Sequence, residues 1–258
     1  MRETLSLDVI ETRLLGGRVR LRQPGQGYRA SGDAVLLAAA AEPPHGAKVF
    51  DMGCGVGSAA LCLLARRSDL YLVGLERQQF LASLAEQNAV LNAVSERFSC
   101  LCGDGAAPPS LLQKLSFDWA ISNPPFFRAE SGGGSPFDSK RQGHQESSLD
   151  LSGWLDLLLR RLKPGGGLTL IYRADRLPGL LAGLEGRTGA VTILPLWPKR
   201  GEPANRVLVS ALKGRRSPAR LLPGLLLHHD DGTFTQEAQA VLRLAQALPM
   251  RSGGALRP

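Results

Sequence analysis

From residue 47 onward, short apolar runs alternate with stretches of helical periodicity, and this alternation restricts the fold more than any other feature of the chain. The runs with the composition of buried strands are AKVFDMG, LYLVGLE, RFSCLCGD, FDWAISNPP, GLTLIYR, VTILPLW and RVLVSALKG. Strands that are joined through helices pair in parallel with right-handed crossovers, and they are apolar on both faces. The sequence therefore predicts an α/β fold, with a mostly parallel seven-stranded sheet and helices on both faces.

Three segments divide the chain. Residues 47–248 contain all the predicted strands and form the expected domain, residues 1–46 precede it, and residues 249–258 are expected to be a flexible tail. Within the domain, residues 128–148 are rich in Gly and Ser, and a loop of this length in a compact domain is usually functional or disordered. We expect a mobile flap beside a binding site, with plain disorder as the alternative.

The charge of the chain favours a polyanionic partner. The formal net charge is +8, and 25 Arg stand against 6 Lys. Arg contacts phosphate in a planar, bidentate way, although a GC-rich genome also favours Arg codons whatever the function. Net charge bears on partners and says nothing about the fold.

The remaining composition indicates a cytoplasmic protein. The four cysteines form no C-x-x-C pair and have no His at ligand spacing, so we expect free thiols in a reducing compartment and no metal site. The N-terminus MRETLSLDVIE lacks the apolar core of a signal peptide. No stretch of about 18 uncharged apolar residues predicts a membrane span.

A glycine-rich loop, DMGCGVG at residues 51–57, joins the first predicted strand to the first helix after it. Glycines let the backbone turn sharply and approach a ligand closely, and a ligand here would lie against the N-terminus of that helix. Two acids follow at the ends of the next two strands. Glu76 comes 25 positions after Asp51, where an acid that binds ribose hydroxyls is expected, and Asp104 ends the third strand.

The spacing of this loop also suits a nicotinamide dinucleotide, but the pattern D-x-G-x-G-x-G resembles motif I of the class I S-adenosylmethionine (SAM) dependent methyltransferases. This resemblance implies a Rossmann-like methyltransferase fold with SAM as the cofactor. It places Glu76 on the ribose and Asp104 at the adenine amine, whereas the alternative is two ordinary solvated carboxylates. The residues that it implies around the methionine part are Asp51, Gly53, Cys54, Gly55 and Gly57.

The fourth strand ends in NPPFF at residues 123–127, which resembles the N-P-P-[YF] motif of methyltransferases that act on a nitrogen attached to a planar carbon. The lone pair of such a nitrogen is delocalised, and its two N–H groups need two acceptors. The resemblance makes Asn123 and Pro124 catalytic through their side-chain and backbone oxygens, with Phe126 as a stacking face, and puts Pro125 and Phe127 beside the substrate. The alternative is a proline-stiffened turn with two core Phe.

The wider sequence resembles the bacterial tRNA N6-adenosine methyltransferases that modify adenosine 37 of a valine tRNA. The likeness runs from about residue 9 to 244 and includes GYRASGDAVLLAAAA and PLWPKRGEPANRVLVSALKG. It implies tRNA as the partner, although those enzymes more often read NPPY, and Phe126 here keeps guanine N2 open as a target. Protein glutamine N5 methylation and an inactive SAM-fold module that binds RNA are further alternatives, and the oligomeric state stays open.

Two more groups of residues are candidates for binding. In the resembling enzymes the segment at residues 1–46 covers the cofactor, which implicates Ser31 and Asp33, while Asp33 is alternatively a helix N-cap. Residues 199–220 carry one acid among many cations, and such a stretch is typical of a phosphate-binding surface or of a solvated loop. The cations that we expect to contact tRNA are Lys199, Arg200, Arg206, Arg215 and Arg216.

Overall fold

The computed structural model describes residues 8–27, 29–125 and 148–250. The strands are β1 (Val9–Leu14), β2 (Val19–Pro24), β3 (Lys48–Met52), β4 (Tyr71–Glu76), β5 (Phe98–Cys102), β6 (Phe117–Ser122), β7 (Leu162–Arg173), β8 (Thr188–Trp197), β9 (Arg206–Lys213), β10 (Arg220–Leu221) and β11 (Leu225–Leu226). The α-helices are α1 (Gly32–Ala40), α2 (Ser58–Arg66), α3 (Gln79–Leu91), α4 (Ser110–Gln113), α5 (Leu151–Arg161), α6 (Leu177–Leu184) and α7 (Gln236–Leu244). Short 3-10 turns span Leu15–Gly17 and Ala174–Arg176.

The main sheet confirms the predicted α/β fold. Within the described residues it has nine strands in the order β10-β8-β9-β7-β6-β3-β4-β5, with β11 also paired to β8. All pairings are parallel except those of β9, which runs antiparallel to both β7 and β8. The seven predicted strands are β3 to β9, and the sequence missed β10 and β11 because two residues are too few to show a pattern.

The order of the strands determines where a ligand binds. The chain builds outward from β3 through β4 to β5, and then returns to the other side of β3 with β6 and β7. Ligands of open α/β sheets bind in the crevice outside the carboxyl ends of the strands, where the strand order reverses. This rule places the site between the loops that follow β3 and β6, which carry the glycines and the NPP turn.

Two apolar layers bury the sheet. One contains α1, α2 and α3, and the other contains α5 and α6. Trp119 connects β6 to β7, because its indole N–H donates to the hydroxyl of Thr169 at 3.0 Å. A Cβ atom at Gly167 would lie 2.0 Å from this indole, so the glycine is needed there. β7 begins at Leu162 and bulges through the glycines that follow, and it pairs with β6 again from Gly167.

The β1–β2 hairpin is attached to the domain through Asn88 of α3 and Asn92, which directly follows this helix. Asn88 accepts from the backbone N–H of Arg22 at 2.7 Å and donates to its carbonyl at 2.9 Å. Asn92, one turn later, makes the same pair of bonds to Arg20, at 2.9 and 2.7 Å. The two side-chain amides thus make the hydrogen bonds that a neighbouring strand would make at the edge of β2. Asn88 also donates to the carbonyl of Val56 in the glycine loop, at 3.0 Å.

Candidate active site

A cavity of about 500 Å³ opens at the carboxyl ends of β3, β4 and β6. Its walls are the glycine loop, the ends of β4 and β5, the NPP turn, the start of α1 and one residue of α5. This volume lies within the usual range for cofactor and small-molecule sites. The cavity therefore brings the predicted cofactor motif and the predicted catalytic turn to the same place.

The glycine loop adopts a conformation that other residues would strain. Gly53, Gly55 and Gly57 have φ angles of 72°, 57° and 82°, in the left-handed region. A Cβ atom at Gly53 would lie 2.9 Å from Trp154, and one at Gly57 would lie 2.7 Å from Phe98. Two of the three glycines are thus required both by their backbone angles and by close packing.

Asp51 is a buried carboxylate at the end of β3, with 2% of its surface exposed. One of its oxygens, Oδ2, is buried and has no hydrogen-bond partner among the described residues. Burial raises the pKa of Asp51 to about 7, against the opposing effect of a hydrogen bond from the backbone N–H of Ala60 in the first turn of α2. A buried carboxyl oxygen without a partner, on the wall of a cavity, fits a site that receives a cationic ligand group.

Glu76 is buried and fixed by hydrogen bonds, whereas Asp104 is fixed through one of its oxygens and stays partly exposed. Glu76 accepts from the backbone N–H groups of Gly55 at 3.0 Å and Gln78 at 2.8 Å, and burial raises its pKa. Asp104 accepts from the Ser148 hydroxyl and from the backbone N–H of Ala106, and these bonds lower its pKa. Both carboxylates line the cavity, at the ends of adjacent parallel strands.

The residue before the NPP turn, Ser122, is held in place by two hydrogen bonds. The hydroxyl of Ser122 donates to the carbonyl of Met52 at 2.7 Å and accepts from the indole N–H of Trp154 at 3.0 Å. Trp154 therefore contacts both the residue before Asn123 and the glycine loop at Gly53. Sequence reasoning missed Trp154, whose only signal is a tryptophan on the apolar face of the first helix after the long loop.

Asn123 lies exposed on the cavity wall and makes no hydrogen bond within the described part of the chain. Pro124 is buried and Pro125 is half-buried, and both also line the cavity. Phe126, the predicted stacking face, and Phe127, predicted to lie beside the substrate, are outside the described residues, as is almost all of the predicted flap at 128–148.

The start of α1 forms another part of the wall. The side chain of Ser31 accepts from the backbone N–H of Asp33 at 3.3 Å, so Ser31 is the N-cap. The alternative of Asp33 as N-cap is wrong, because Asp33 lies in the first helical turn and forms an ion pair with Arg206 at 3.4 Å. Both predicted residues line the cavity, and Arg206 ties α1 to the start of β9.

The five predicted phosphate contacts do not form one surface. β9 starts at Arg206 opposite Arg173, at the carboxyl ends of the parallel strands. It then runs antiparallel, so that Arg215 and Arg216 follow it at the opposite edge of the sheet, roughly 25 Å away. Lys199 and Arg200 stay at the carboxyl edge, in the loop after β8, where the Lys199 ammonium donates to the carbonyl of Asp230. The five cations therefore lie at two opposite edges of the sheet, and their contact with tRNA stays a prediction.

Comparison with known proteins agrees with this geometry. A model of the methyltransferase small domain matches residues 30–133. The tRNA1(Val) (adenine(37)-N6)-methyltransferase of Porphyromonas gingivalis strain ATCC 33277 is 33% identical over 169 residues, which cover 63% of this chain and 66% of that relative. A relative of the same description from Aeromonas hydrophila is 27% identical over 79% of this chain and 84% of its own length.

A solved structure has a similar fold. A protein from Agrobacterium tumefaciens, described as a predicted O-methyltransferase, superimposes with a TM-score of 0.70 at 25% identity, over 85% of this chain and 99% of its own. Residues 30–133 thus contain a methyltransferase domain, and the chain has the fold of the SAM-dependent methyltransferases. Its matches span 66% and 64% of the first two curated relatives, just under two thirds of their lengths.

SAM, the cofactor of this family, fits the residues of the cavity. Its ammonium group needs an anionic acceptor, which the partnerless oxygen of Asp51 would supply, and its ribose and adenine need fixed acceptors, which Glu76 and Asp104 would supply. The described residues contain no group of three or more His, Cys, Asp or Glu that could hold a metal ion. None of the helices within them is long and apolar enough to span a membrane.

Proposed function

We propose that this protein transfers a methyl group from SAM to the exocyclic N6 amine of an adenosine in tRNA, at position 37 of a valine tRNA. The observation that carries the proposal is that Asn123, exposed and without a hydrogen bond in the described structure, lines the same cavity as Asp51 and Glu76. An amide oxygen that can accept one N–H group of a substrate amine thus lies beside a site that suits the methyl donor.

In this mechanism, one side of the cavity would bind the cofactor and the other side would bind the amine. SAM supplies an activated methyl group on a sulfonium sulfur. The glycine loop and Asp51 would hold its methionine part, Glu76 its ribose and Asp104 its adenine. A covering role for residues 1–46 over a catalytic domain at 47–248 is supported by the residues of that segment that line the cavity, which include Gly27, Arg29, Ala30, Ser31, Asp33 and Ala34.

Asn123 and Pro124 would activate the amine by positioning it. Its two N–H groups donate to the Asn123 side-chain oxygen and the Pro124 carbonyl, so that the nitrogen can pyramidalise with its lone pair towards the methyl group. Positive charge then develops on the nitrogen, and the two oxygen dipoles stabilise it. The methylated product is a strong acid that loses its proton to water, so no basic side chain is needed. Proline limits the flexibility of the turn and keeps both acceptors in place.

Two observations support tRNA as the substrate class. The curated relatives carry the name tRNA1(Val) (adenine(37)-N6)-methyltransferase. The loop that joins β8 to β9 adds Lys199 and the exposed Arg200 to the same sheet edge as Asn123, where a phosphate backbone can follow. The target base would leave its stack and enter the cavity, as enzymes that modify bases require. A tRNA substrate also implies that the protein works in the cytoplasm.

Guanine N2 is a second candidate target, because the sequence reads NPPF where the adenine enzymes more often read NPPY. Phe126 retains a stacking face but lacks the phenol hydroxyl. Both targets are conjugated amines, to which the same mechanism applies. The two proposals therefore differ only in the nucleoside that carries the new methyl group.

The test is incubation with labelled SAM and tRNA from cells that lack this gene, followed by nucleoside analysis. We expect N6-methyladenosine in the valine tRNA and none when position 37 of that tRNA is changed to guanosine. Asn123→Ala serves as the inactive control. N2-methylguanosine would replace the first proposal by the second, methylglutamine in a protein fraction would overturn both, and the absence of any product would favour an inactive RNA-binding module.

A further inference from the structure

Two thiols meet behind the cofactor loop. Cys54 lies between the glycines of this loop, and Cys100 lies in the middle of β5. Their sulfur atoms are 3.4 Å apart, although 46 positions separate them in the sequence. Both cysteines are free thiols in this structure.

Gly74 of β4 makes this contact possible. It is the register partner of Cys100 on the neighbouring strand, and a Cβ atom there would lie 2.6 Å from the sulfur of Cys54. Any side chain at position 74 would therefore displace the Cys54 thiol from Cys100. The backbone N–H of Cys54 is held by the carbonyl of Leu75 at 3.1 Å, so hydrogen bonds to β4 fix the loop over the strand that carries Gly74.

The other two cysteines provide an internal comparison. Cys62 is buried in α2, and burial raises the pKa of its thiol to about 12. Cys102 is exposed, and its thiol contacts the carbonyl of Arg77. No other pair of thiols in the described residues is recorded in contact.

The environments of the paired thiols give them different roles. Cys54 is 4% exposed, and its hydrogen bond to Cys100, together with burial, raises its pKa well above the usual range. Cys100 is only partly buried, so an oxidant in solution reaches its sulfur more easily. Reactivity follows thiolate character and access, which makes Cys100 the thiol that reacts first.

We propose that Cys54 and Cys100 are an oxidation site, at which hydrogen peroxide forms a disulfide that withdraws the glycine loop from the cofactor. The Cys100 thiolate attacks one peroxide oxygen, the O–O bond breaks, and the other oxygen leaves as water after taking a proton. The resulting sulfenic acid is attacked by the Cys54 sulfur, and its hydroxyl leaves with the thiol proton as a second water. The two thiols lose two electrons, and the peroxide gains them.

Bond formation has a geometric consequence for the loop. A disulfide joins its sulfurs at about 2.05 Å, so the two atoms must approach by about 1.4 Å from their present separation of 3.4 Å. Cys54 is flanked by Gly53 and Gly55, and Gly55 donates its N–H to Glu76, so a shift of Cys54 disturbs the predicted contacts of both methionine and ribose. This consequence rests on the proposed function, whereas the formation of the disulfide does not.

The experiment has two independent readouts on the full chain. The reduced protein is treated with hydrogen peroxide, the disulfide is mapped by mass spectrometry of unreduced peptides, and SAM affinity is measured by calorimetry before oxidation, after it and after dithiothreitol. We expect a peptide that links Cys54 to Cys100, and an affinity that falls roughly tenfold or more and recovers on reduction. Cys100→Ser should keep the affinity under peroxide, and Cys102→Ser should behave like the natural protein.

Each outcome decides the proposal. The absence of the linked peptide, or a loss of affinity in Cys100→Ser equal to that of the natural protein, overturns it. A linked peptide with unchanged affinity overturns the effect on the loop. If the reduced protein binds no SAM at all, the proposed function fails, while the peptide map still reports whether the two thiols react.

Discussion

The cavity has a cofactor side, with Asp51, Glu76 and Asp104, and an amine side, with Asn123 and Pro124. The two sides differ in how their polar groups are hydrogen-bonded. On the cofactor side, both oxygens of Glu76 already accept backbone N–H groups, and Asp104 accepts from Ser148 and Ala106. On the amine side, Asn123 is exposed and makes no hydrogen bond within the described residues. The cofactor side therefore has most of its acceptors held before any ligand arrives, with the buried Oδ2 of Asp51 left open, whereas the acceptor of the amine side is open and exposed.

This difference has a physical reason. The cofactor carries several polar groups that must be recognised together, and a preformed set of acceptors avoids the cost of ordering them on binding. In the proposed mechanism, Asn123 exchanges water for an N–H group of each new substrate, and an exposed amide loses little when it is unpaired. The comparison therefore predicts that changes on the amine side alter the rate, whereas changes on the cofactor side alter binding and stability.

The largest expected effect is on the amine side. Asn123→Ala should lower the single-turnover rate of methyl transfer by about 100- to 1,000-fold, because it removes one of two dipoles that stabilise the developing positive charge. SAM affinity, measured by calorimetry, should change by less than about twofold, since no cofactor contact is lost. A rate near that of the natural protein would contradict the proposed role of the turn.

On the cofactor side, the unusual carboxyl of Asp51 gives a pH dependence. Its pKa is about 7 in the folded chain and 3.8 in the unfolded chain, so the folded state binds more protons between these values. Stability without ligand should therefore fall as the pH rises from about 4 through 7, by a few kcal/mol in all. Asp51→Asn should remove this slope in urea unfolding between pH 5 and 8, and should also weaken SAM binding at pH 8.

Asp156→Asn is a matched control for that slope. Asp156 lies on α5, partly exposed, and pairs with Arg160 and Arg187. The control should keep the slope, and an equal loss of slope in both variants would remove Asp51 as its source.

A smaller effect is expected where the two sides of the cavity meet, at Trp154. Trp154→Phe removes the N–H donor to Ser122 but keeps an aromatic ring near Gly53, so the rate should fall about tenfold with an unchanged KM for SAM. Trp119→Phe is the matched control, because Trp119 also donates to a hydroxyl at 3.0 Å. Both variants should lose similar stability in urea, and only Trp154→Phe should lose rate. Equal losses of rate would show that packing, rather than positioning of the turn, is responsible.

The smallest effect concerns the two basic surfaces. Reversing Lys199 and Arg200 to Glu should weaken tRNA binding at low salt by about tenfold and reduce its salt dependence. Reversing Arg215 and Arg216, at the opposite edge of the sheet, should weaken binding by less than about threefold, since only long-range attraction is lost. Filter binding over a salt series measures both, and equal losses would place tRNA on both edges.

Much of this site was predictable because its signals are local. A glycine loop after an apolar strand, acids at the ends of the next strands and a double proline after the fourth each specify a backbone conformation within a few residues. Trp154 was missed because its importance depends on Ser122, which lies on another element. Cys54 was predicted only as part of the loop, and its contact with Cys100 depends on the pairing of β4 with β5.

By itself, the sequence determined the type and order of the strands and helices and the residues at the carboxyl ends of β3 to β6. The tertiary structure alone decided which of these meet: it joined Ser122, the residue before Asn123, to the cofactor loop through Trp154, paired Asp33 with Arg206, and separated Arg215 from Lys199. The physical reason is that periodicity and turn chemistry report the backbone and burial of one element. Proximity between elements depends on strand order and direction. β9 runs in the reverse direction, but the apolar sequence pattern of a strand is the same in either direction.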